Sequence, residues 1–298
     1  MAIERVADMV NQACAQGYAV GYFESWNLES LQGVVDAAEA TRSPILIGFN
    51  GEFLSNANRL AEERLTWYAA LAKAAAASCS VPCGLVFNEC SRDEWIRQAV
   101  DAGFGQIMLD DAAASGDDLV RRVADLTKYA HARDAASEAE VGELPFGAAL
   151  GDGASGEMTS PDDAAEFVHR TGVDILGVSV GNVHVLTNGR QGLDLERLAA
   201  IRRRVAVPLD LHGGTGIDFD SLRQAIALGV AKVSYGTYVK QRYLAVIRAA
   251  LAAADDTANP HELLGMGEAR DVLVAGRLAV RDAVLERIPL LGCCGRAK

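Results

Sequence analysis

The chain has 298 residues, 50% of them hydrophobic, and a formal net charge of −12. That size and apolar content support a large buried core in one or two domains. The acidic balance argues against nucleic acid and anionic membranes as partners, but leaves small molecules open, because local potential at a site can oppose the net charge.

In chain order, the opening MAIERVADMV has neither the basic start nor the apolar core of a secretory signal. A strand is expected at AVGYF (19–23), then a helix over LESLQGVVDAAEAT, whose apolar residues recur at three and four. Further strands are expected at PILIGF (44–49), CGLVFN (83–88), QIMLD (106–110), ASEAEV (136–141), ILGVSV (175–180), VPLDLH (207–212) and AKVSYG (231–236). Helical patterns separate the later ones: RDEWIRQAVDAG, DDLVRRVADLTKYAHAR, PDDAAEFVHRTG, LERLAAIRRRV and DSLRQAIALG. Several begin with Asp or Pro-Asp and several end in Gly, as helix caps do. The Gly-rich stretch 142–160 after the fifth strand reads as a mobile loop over a site, hinged at glycines 147, 151, 153 and 156. Residues 260–288 read as a further helix pair.

Eight β-then-α units with strands too apolar to face water predict a closed (β/α)8 TIM barrel of the α/β class, with extra C-terminal helices. No linker divides the chain, so residues 1–298 are expected to form one barrel domain, with 260–298 as its helical extension. No run approaches the roughly 18 apolar residues that cross a bilayer. The six cysteines (14, 79, 83, 90, 293 and 294) form no CxxC pair, which suits a reduced cytoplasmic protein.

Barrel chemistry gathers where strands end. Reading those ends gives Glu24, Asn88 and Glu89, Asp110, Glu138 and Glu140, His184, His212 and Ser234. Two histidines on successive strands, with carboxylates nearby, suit a divalent metal with positions left open for substrate. His131, His169 and His261 fall elsewhere and read as surface or packing residues. The GGTG turn (213–216) and YGT (235–237) follow the last two strands, the usual barrel site for phosphate, although tight turns alone would also account for them.

Ordered motifs over nearly the whole chain resemble the class II, metal-dependent fructose-bisphosphate and tagatose-bisphosphate aldolases. They are GYAVGYFESWNLESLQGVVDAAEATRSPILI, VPCGLVFNEC, DAGFGQIMLD, SEAEVG, FVHRTGVDILGVSVGNVH, VPLDLHGGTGI, AKVSYGT and ERIPLLGCCGRAK. The resemblance implies a divalent metal, usually zinc, held by three histidines, which polarises a ketose phosphate carbonyl and stabilises an enediolate. Two of those histidines match His184 and His212. The third falls on Glu89, and the family's catalytic aspartate falls on Asn88. A carboxylate ligand favours harder ions such as manganese or magnesium. Glu24, Val185, Asn188, Ser234 and Tyr238 also depart from the family pattern, and Asp210 replaces an apolar residue. With Asn88 unable to act as a base, proton transfer would fall to Glu24, Glu140 or Asp210, with Glu24 first. Substrate contacts are expected at Gly181, Val185, Gly213, Gly214, Thr215, Ser234, Gly236 and Thr237.

The reading is therefore a divergent carbon–carbon lyase, not an efficient fructose-bisphosphate aldolase. It would cleave a ketose phosphate or related polyhydroxy carbonyl compound reversibly. A metal-dependent sugar isomerase or epimerase, or an inactive sugar-phosphate-binding protein, are the alternatives. A homodimer or homotetramer is implied by the same resemblance.

Overall fold

In the computed structural model the described residues are 3–145, 147, 156–186, 189–255 and 257–297. Eight parallel strands pair in chain order and close into a barrel. They are β1 (Val20–Ser25), β2 (Ile45–Asn50), β3 (Cys83–Cys90), β4 (Gln106–Leu109), β5 (Ala136–Val141), β6 (Ile175–Val178), β7 (Leu209–Leu211) and β8 (Val230–Tyr235). Helix α1 (Val6–Gln16) precedes β1 and α2 (Leu28–Thr41) follows it. Helices α3 (Gly51–Ser55) and α4 (Leu65–Ser78) join β2 to β3. The later crossovers hold α5 (Asp93–Ala102), α6 (Gly116–His131), α7 (Pro161–Thr171), α8 (Leu195–Arg204) and α9 (Phe219–Ala227). After β8 come α10 (Thr237–Ala252), α11 (Pro260–Leu263) and α12 (Val272–Arg287).

The strands are apolar because both of their faces are covered, one by the barrel interior and one by helices. Local chemistry sets the helix limits. Asn27 and Ser30 form a reciprocal capping box at the start of α2, and Ser160, Asp194 and Asp218 cap α7, α8 and α9. Gly17, Gly103 and Gly172 close α1, α5 and α7 in the left-handed conformation. The expected helix pair in the tail is only partly a pair. Its first member, α11, spans four residues, whereas α12 is a full helix packed on α2 and α10. Arg277 clamps α12 to Asp36 of α2 through two hydrogen bonds of 2.6 and 2.7 Å. Among the described residues no helix is long and apolar enough to cross a membrane.

Barrel closure decides which polar residues meet. Asp210 of β7 lies level with Gly177 of β6 and Lys232 of β8. Side chains alternate along a strand, so Asp210 and His212 share a side, as do Lys232 and Ser234, and the level pair Asp210 and Lys232 puts both sets on the same side. All four are buried.

Candidate metal centre and active site

Three donor atoms converge at the C-terminal end of the barrel. Glu89 Oε1 lies 2.8 Å from His212 Nδ1 and 3.5 Å from His184 Nε2. Asn50 at the end of β2 donates to the other oxygen, Glu89 Oε2, at 2.5 Å. Glu89 reaches this position with φ of 45°, where the β3–β4 register shifts between Phe87 and Cys90. Val185, next to His184, also has positive φ, at 53°. A β-branched residue in that region is strained, at a cost of order 1–3 kcal/mol. Both strained residues therefore sit at or beside a candidate ligand.

The site's electrostatics suit a cation. Burial pushes the Glu89 carboxyl up, but His212, His184 and Lys232 outweigh it and hold the group down at about 2. Burial also works against charge on His212. Its three carboxylate neighbours, Asp210, Glu138 and Glu89, prevail and raise its pKa well above the ordinary value. His184 goes the other way, because burial lowers it more than Glu89 raises it. A positive charge is thus favoured between Glu89 and His212, where a dication would replace the proton on Nδ1. Two imidazole nitrogens and one carboxylate oxygen, drawn together from three strand ends, fit a divalent metal.

Beneath this triad lies a network that the sequence alone does not reveal. His212 Nε2 lies 2.9 Å from Glu138 Oε1 and 3.1 Å from Asp210 Oδ2. The Lys232 ammonium donates to Glu138 Oε2 at 2.7 Å and to Asp210 Oδ2 at 2.9 Å. Gln106 donates to Glu138 Oε2 at 2.8 Å, and Ser234 to Asp210 Oδ2 at 3.0 Å. Glu138, Asp210 and His212 could also serve as a metal-ligand group, but Lys232 holds Glu138 Oε2 and Asp210 Oδ2, the latter the same oxygen that faces His212. Lys232 is the residue the sequence reading passed over. A lone lysine within VAKVSY, two positions before Ser234, was the available signal.

The other expected site residues divide. Glu24 is buried and ion-paired with Lys240 of α10, and Gly236 packs against the carboxylate. Burial is the largest influence on its pKa and raises it, partly offset by Lys240. Asp210 is fully buried; its Oδ2 is committed to Lys232, Ser234 and His212, while its Oδ1 has no partner among the described residues. Asn88 is buried, with no partner for its Oδ1 among the described residues. Glu140, next to last in β5, lines a cavity of about 480 Å³ with Gly142, Glu143, Phe167 and Arg170, a cavity that includes none of the candidate ligands. Burial, reinforced by Asp110, Glu89 and Asp210 and opposed by His212, pushes its pKa up to about 8. A second cavity, of about 370 Å³, lies beside Cys14, Arg202 and Gly229 at the strands' other end and holds none of these residues.

The glycines of the turn are required by packing within the protein. A Cβ on Gly213 would lie 2.2 Å from the Val183 carbonyl oxygen, and φ there is +68°. On Gly214 it would meet Tyr235, Val233 and the Ser234 carbonyl within 3.0 Å. Gly213 lets the loops after β6 and β7 pack together and Gly214 lets the turn lie on β8, so protein excludes a side chain at both. Thr215 Oγ1 accepts the Tyr238 N–H at 3.1 Å, which ties the turn to the first turn of α10. That helix starts at Thr237 with Gly236 as its cap residue and no side-chain cap. The Ser234 hydroxyl is spent on Asp210. Gly181, with φ of +100°, lies against Gly192 and Asp194 in the loop after β6. Asn188 and glycines 151 and 153 lie outside the described residues. Of the expected lid, Glu143 donates its N–H to Glu157 O, while Pro145 O and the Gly147 N–H bracket the His184 backbone at 2.9 and 3.1 Å.

Comparison with known proteins shows the family. The family model for fructose-bisphosphate aldolase class-II matches residues 4–296. A fructose-bisphosphate aldolase of Geobacillus stearothermophilus is 29% identical over 310 residues, covering 100% of this chain and 99% of that one. The YdjI aldolase of Escherichia coli K12 has a crystal structure that superposes with a TM-score of 0.81 at 29% identity, with both chains fully covered. At the sequence level that protein, YdjI, is 32% identical over 289 residues, 97% of each chain. A putative fructose-1,6-biphosphate aldolase from Coccidioides immitis gives a TM-score of 0.77 at 27% identity, covering 98% of this chain and 97% of that one. This chain, with its closed barrel and the histidines that follow β6 and β7, belongs to the class II fructose-bisphosphate aldolase family.

Proposed function

We propose that the protein is a metal-dependent aldolase that cleaves a ketose phosphate or related polyhydroxy carbonyl compound other than fructose 1,6-bisphosphate. The observation that carries this is the convergence of Glu89, His184 and His212 beside a neutral Asn88. Glu89, His184 and His212 would hold the cation, with manganese or magnesium suited to the carboxylate and zinc to the family. When bound, the cation supplies Lewis acidity to the substrate carbonyl. Asn88 can hydrogen-bond a substrate hydroxyl but cannot carry its proton. Glu140 takes that role: it is close enough to His212 and Glu89 to feel their charge, and in the cation-free site burial raises its pKa to about 8, so it can gain and lose a proton near neutral pH. The turn at 213–215 and the start of α10 at Thr237 would receive an anionic group of the substrate, because the amides at a helix start favour negative charge.

Glu140→Gln is expected to lower turnover by about 10²–10⁴-fold. It should also change the stability of the chelated protein in a defined sense. The Glu140 pKa is raised from 4.5 to about 8 in the fold. The folded chain thus holds a proton that the unfolded chain has released, and stability falls as pH rises through that window. Thermal unfolding of the chelated variant should lack this decline and exceed wild type at pH 8. A wild-type decline retained in full by Glu140→Gln would remove Glu140 from the role.

The function is tested by a retro-aldol screen of ketose phosphates and unphosphorylated polyhydroxy carbonyl compounds, with chelated and metal-reloaded protein. Metal-dependent release of an aldehyde and a ketone fragment is expected from one of them. Ordinary turnover of fructose 1,6-bisphosphate would contradict the altered specificity, and no cleavage of any member would contradict the aldolase assignment. The reading takes residues 1–298 as one barrel domain in a cytoplasmic homo-oligomer. Support for self-association comes from α10, which leaves Leu244, Val246 and Leu251 exposed.

A further inference from the structure

A ligating imidazole must present one nitrogen and be held by the other. His212 is held from two sides. Its Nε2 lies between Glu138 Oε1 and Asp210 Oδ2, at 2.9 and 3.1 Å, while Nδ1 faces Glu89. Asn182 Nδ2 fixes the backbone by donating to the His212 carbonyl at 3.0 Å. Asp210 is the hub of this arrangement, because its Oδ2 also receives Lys232 and Ser234. The opposing Gly177 of β6 and the neighbouring Lys232 of β8 lie level with it in the barrel.

We propose that Asp210 is a positioning residue: with Glu138 it anchors His212 through Nε2–H and so turns Nδ1 toward the cation. The need for a second anchor follows from Glu89. This carboxylate contacts Nδ1 through the same oxygen that faces His184. A ring pivoting on one Nε2 contact could keep its Nδ1–Glu89 hydrogen bond and still swing away from His184. Two acceptors, each fixed by Lys232 and one further donor, remove that freedom.

The inference rests on the reading of Glu89, His184 and His212 as cation ligands, and the test separates the two. Manganese and zinc affinities are measured by titration on wild type, Asp210→Asn and Asp210→Leu, with thermal unfolding as the check on folding. The leucine variant should bind about 10–100-fold more weakly, the usual effect of losing an outer partner. The asparagine variant can still accept hydrogen bonds through its side-chain oxygen and should recover most of that loss. Nitrogen-15 spectra of wild type loaded with zinc should show His212 protonated on Nε2, a readout that stands even if the leucine variant does not fold. Leucine-variant affinities within about twofold of wild type, or a loaded His212 protonated on Nδ1, would overturn the inference alone. Wild type that takes up neither metal would overturn the ligand reading and the inference with it.

Discussion

Lys232→Met is expected to destabilise the cation-free protein by about 3–5 kcal/mol at neutral pH, the range seen when one partner is removed from a buried ion pair. Lys232 is fully buried and bonds two carboxylates that are themselves fully buried. Burial alone would drive its amine toward neutrality, yet Asp210 and Glu138 together raise its pKa. Methionine fills the same space but leaves both carboxylates uncompensated. In the variant they would hold protons more tightly than in the unfolded chain, so the deficit should shrink as pH falls toward 5. Urea unfolding at neutral and acid pH measures both effects. A loss below about 1 kcal/mol at neutral pH, within the range of an exposed pair, would show that the ammonium does not hold this network together.

Gly213→Ala should be similarly damaging, by a steric route. The left-handed backbone alone costs alanine about 1–2 kcal/mol. The larger effect comes from the Val183 carbonyl oxygen, 2.2 Å from the new Cβ, with His184 N only 3.5 Å away. The loop carrying His184 must move, so stability and cation affinity should fall together. Thermal unfolding and metal titration on the same sample test this. Unchanged affinity would show that the β6 and β7 loops are not packed as a unit.

Much of the barrel can be read from local pattern. Each expected strand corresponds to a real one, because parallel strands covered on both faces stand out as short apolar runs. The ends are less legible: β7 is Leu209–Leu211, within the expected 207–212, since Pro208 has no N–H to donate and His212 has already turned out of the ladder. Helix α4 is hidden by its composition. LTWYAALAKAAAAS is apolar almost all round, so Leu65, Ala69, Ala72 and Ala76 do not stand out as its buried face.

The candidate ligands were legible because each lies near or soon after the end of a strand, and barrel strands end at a common face. The supporting network was not. Gln106, Glu138, Asp210 and Lys232 lie on β4, β5, β7 and β8 and meet only across the closed interior. Glu24 illustrates the same limit. Its strand-end position pointed to proton transfer, but Lys240, more than 200 residues away, neutralises it. The glycines after His212 were legible as required, yet the atoms that require them belong to the loop after β6 and to β8.

The claim on which the rest depends is that Glu89, His184 and His212 together hold one divalent cation. Equilibrium titration of manganese and zinc into chelated wild type and His212→Ala tests it most directly. One cation per chain is expected for wild type, with affinity more than ~100-fold weaker in the variant, beyond the effect of losing an outer partner. Equal affinity in a folded His212→Ala protein would contradict the account.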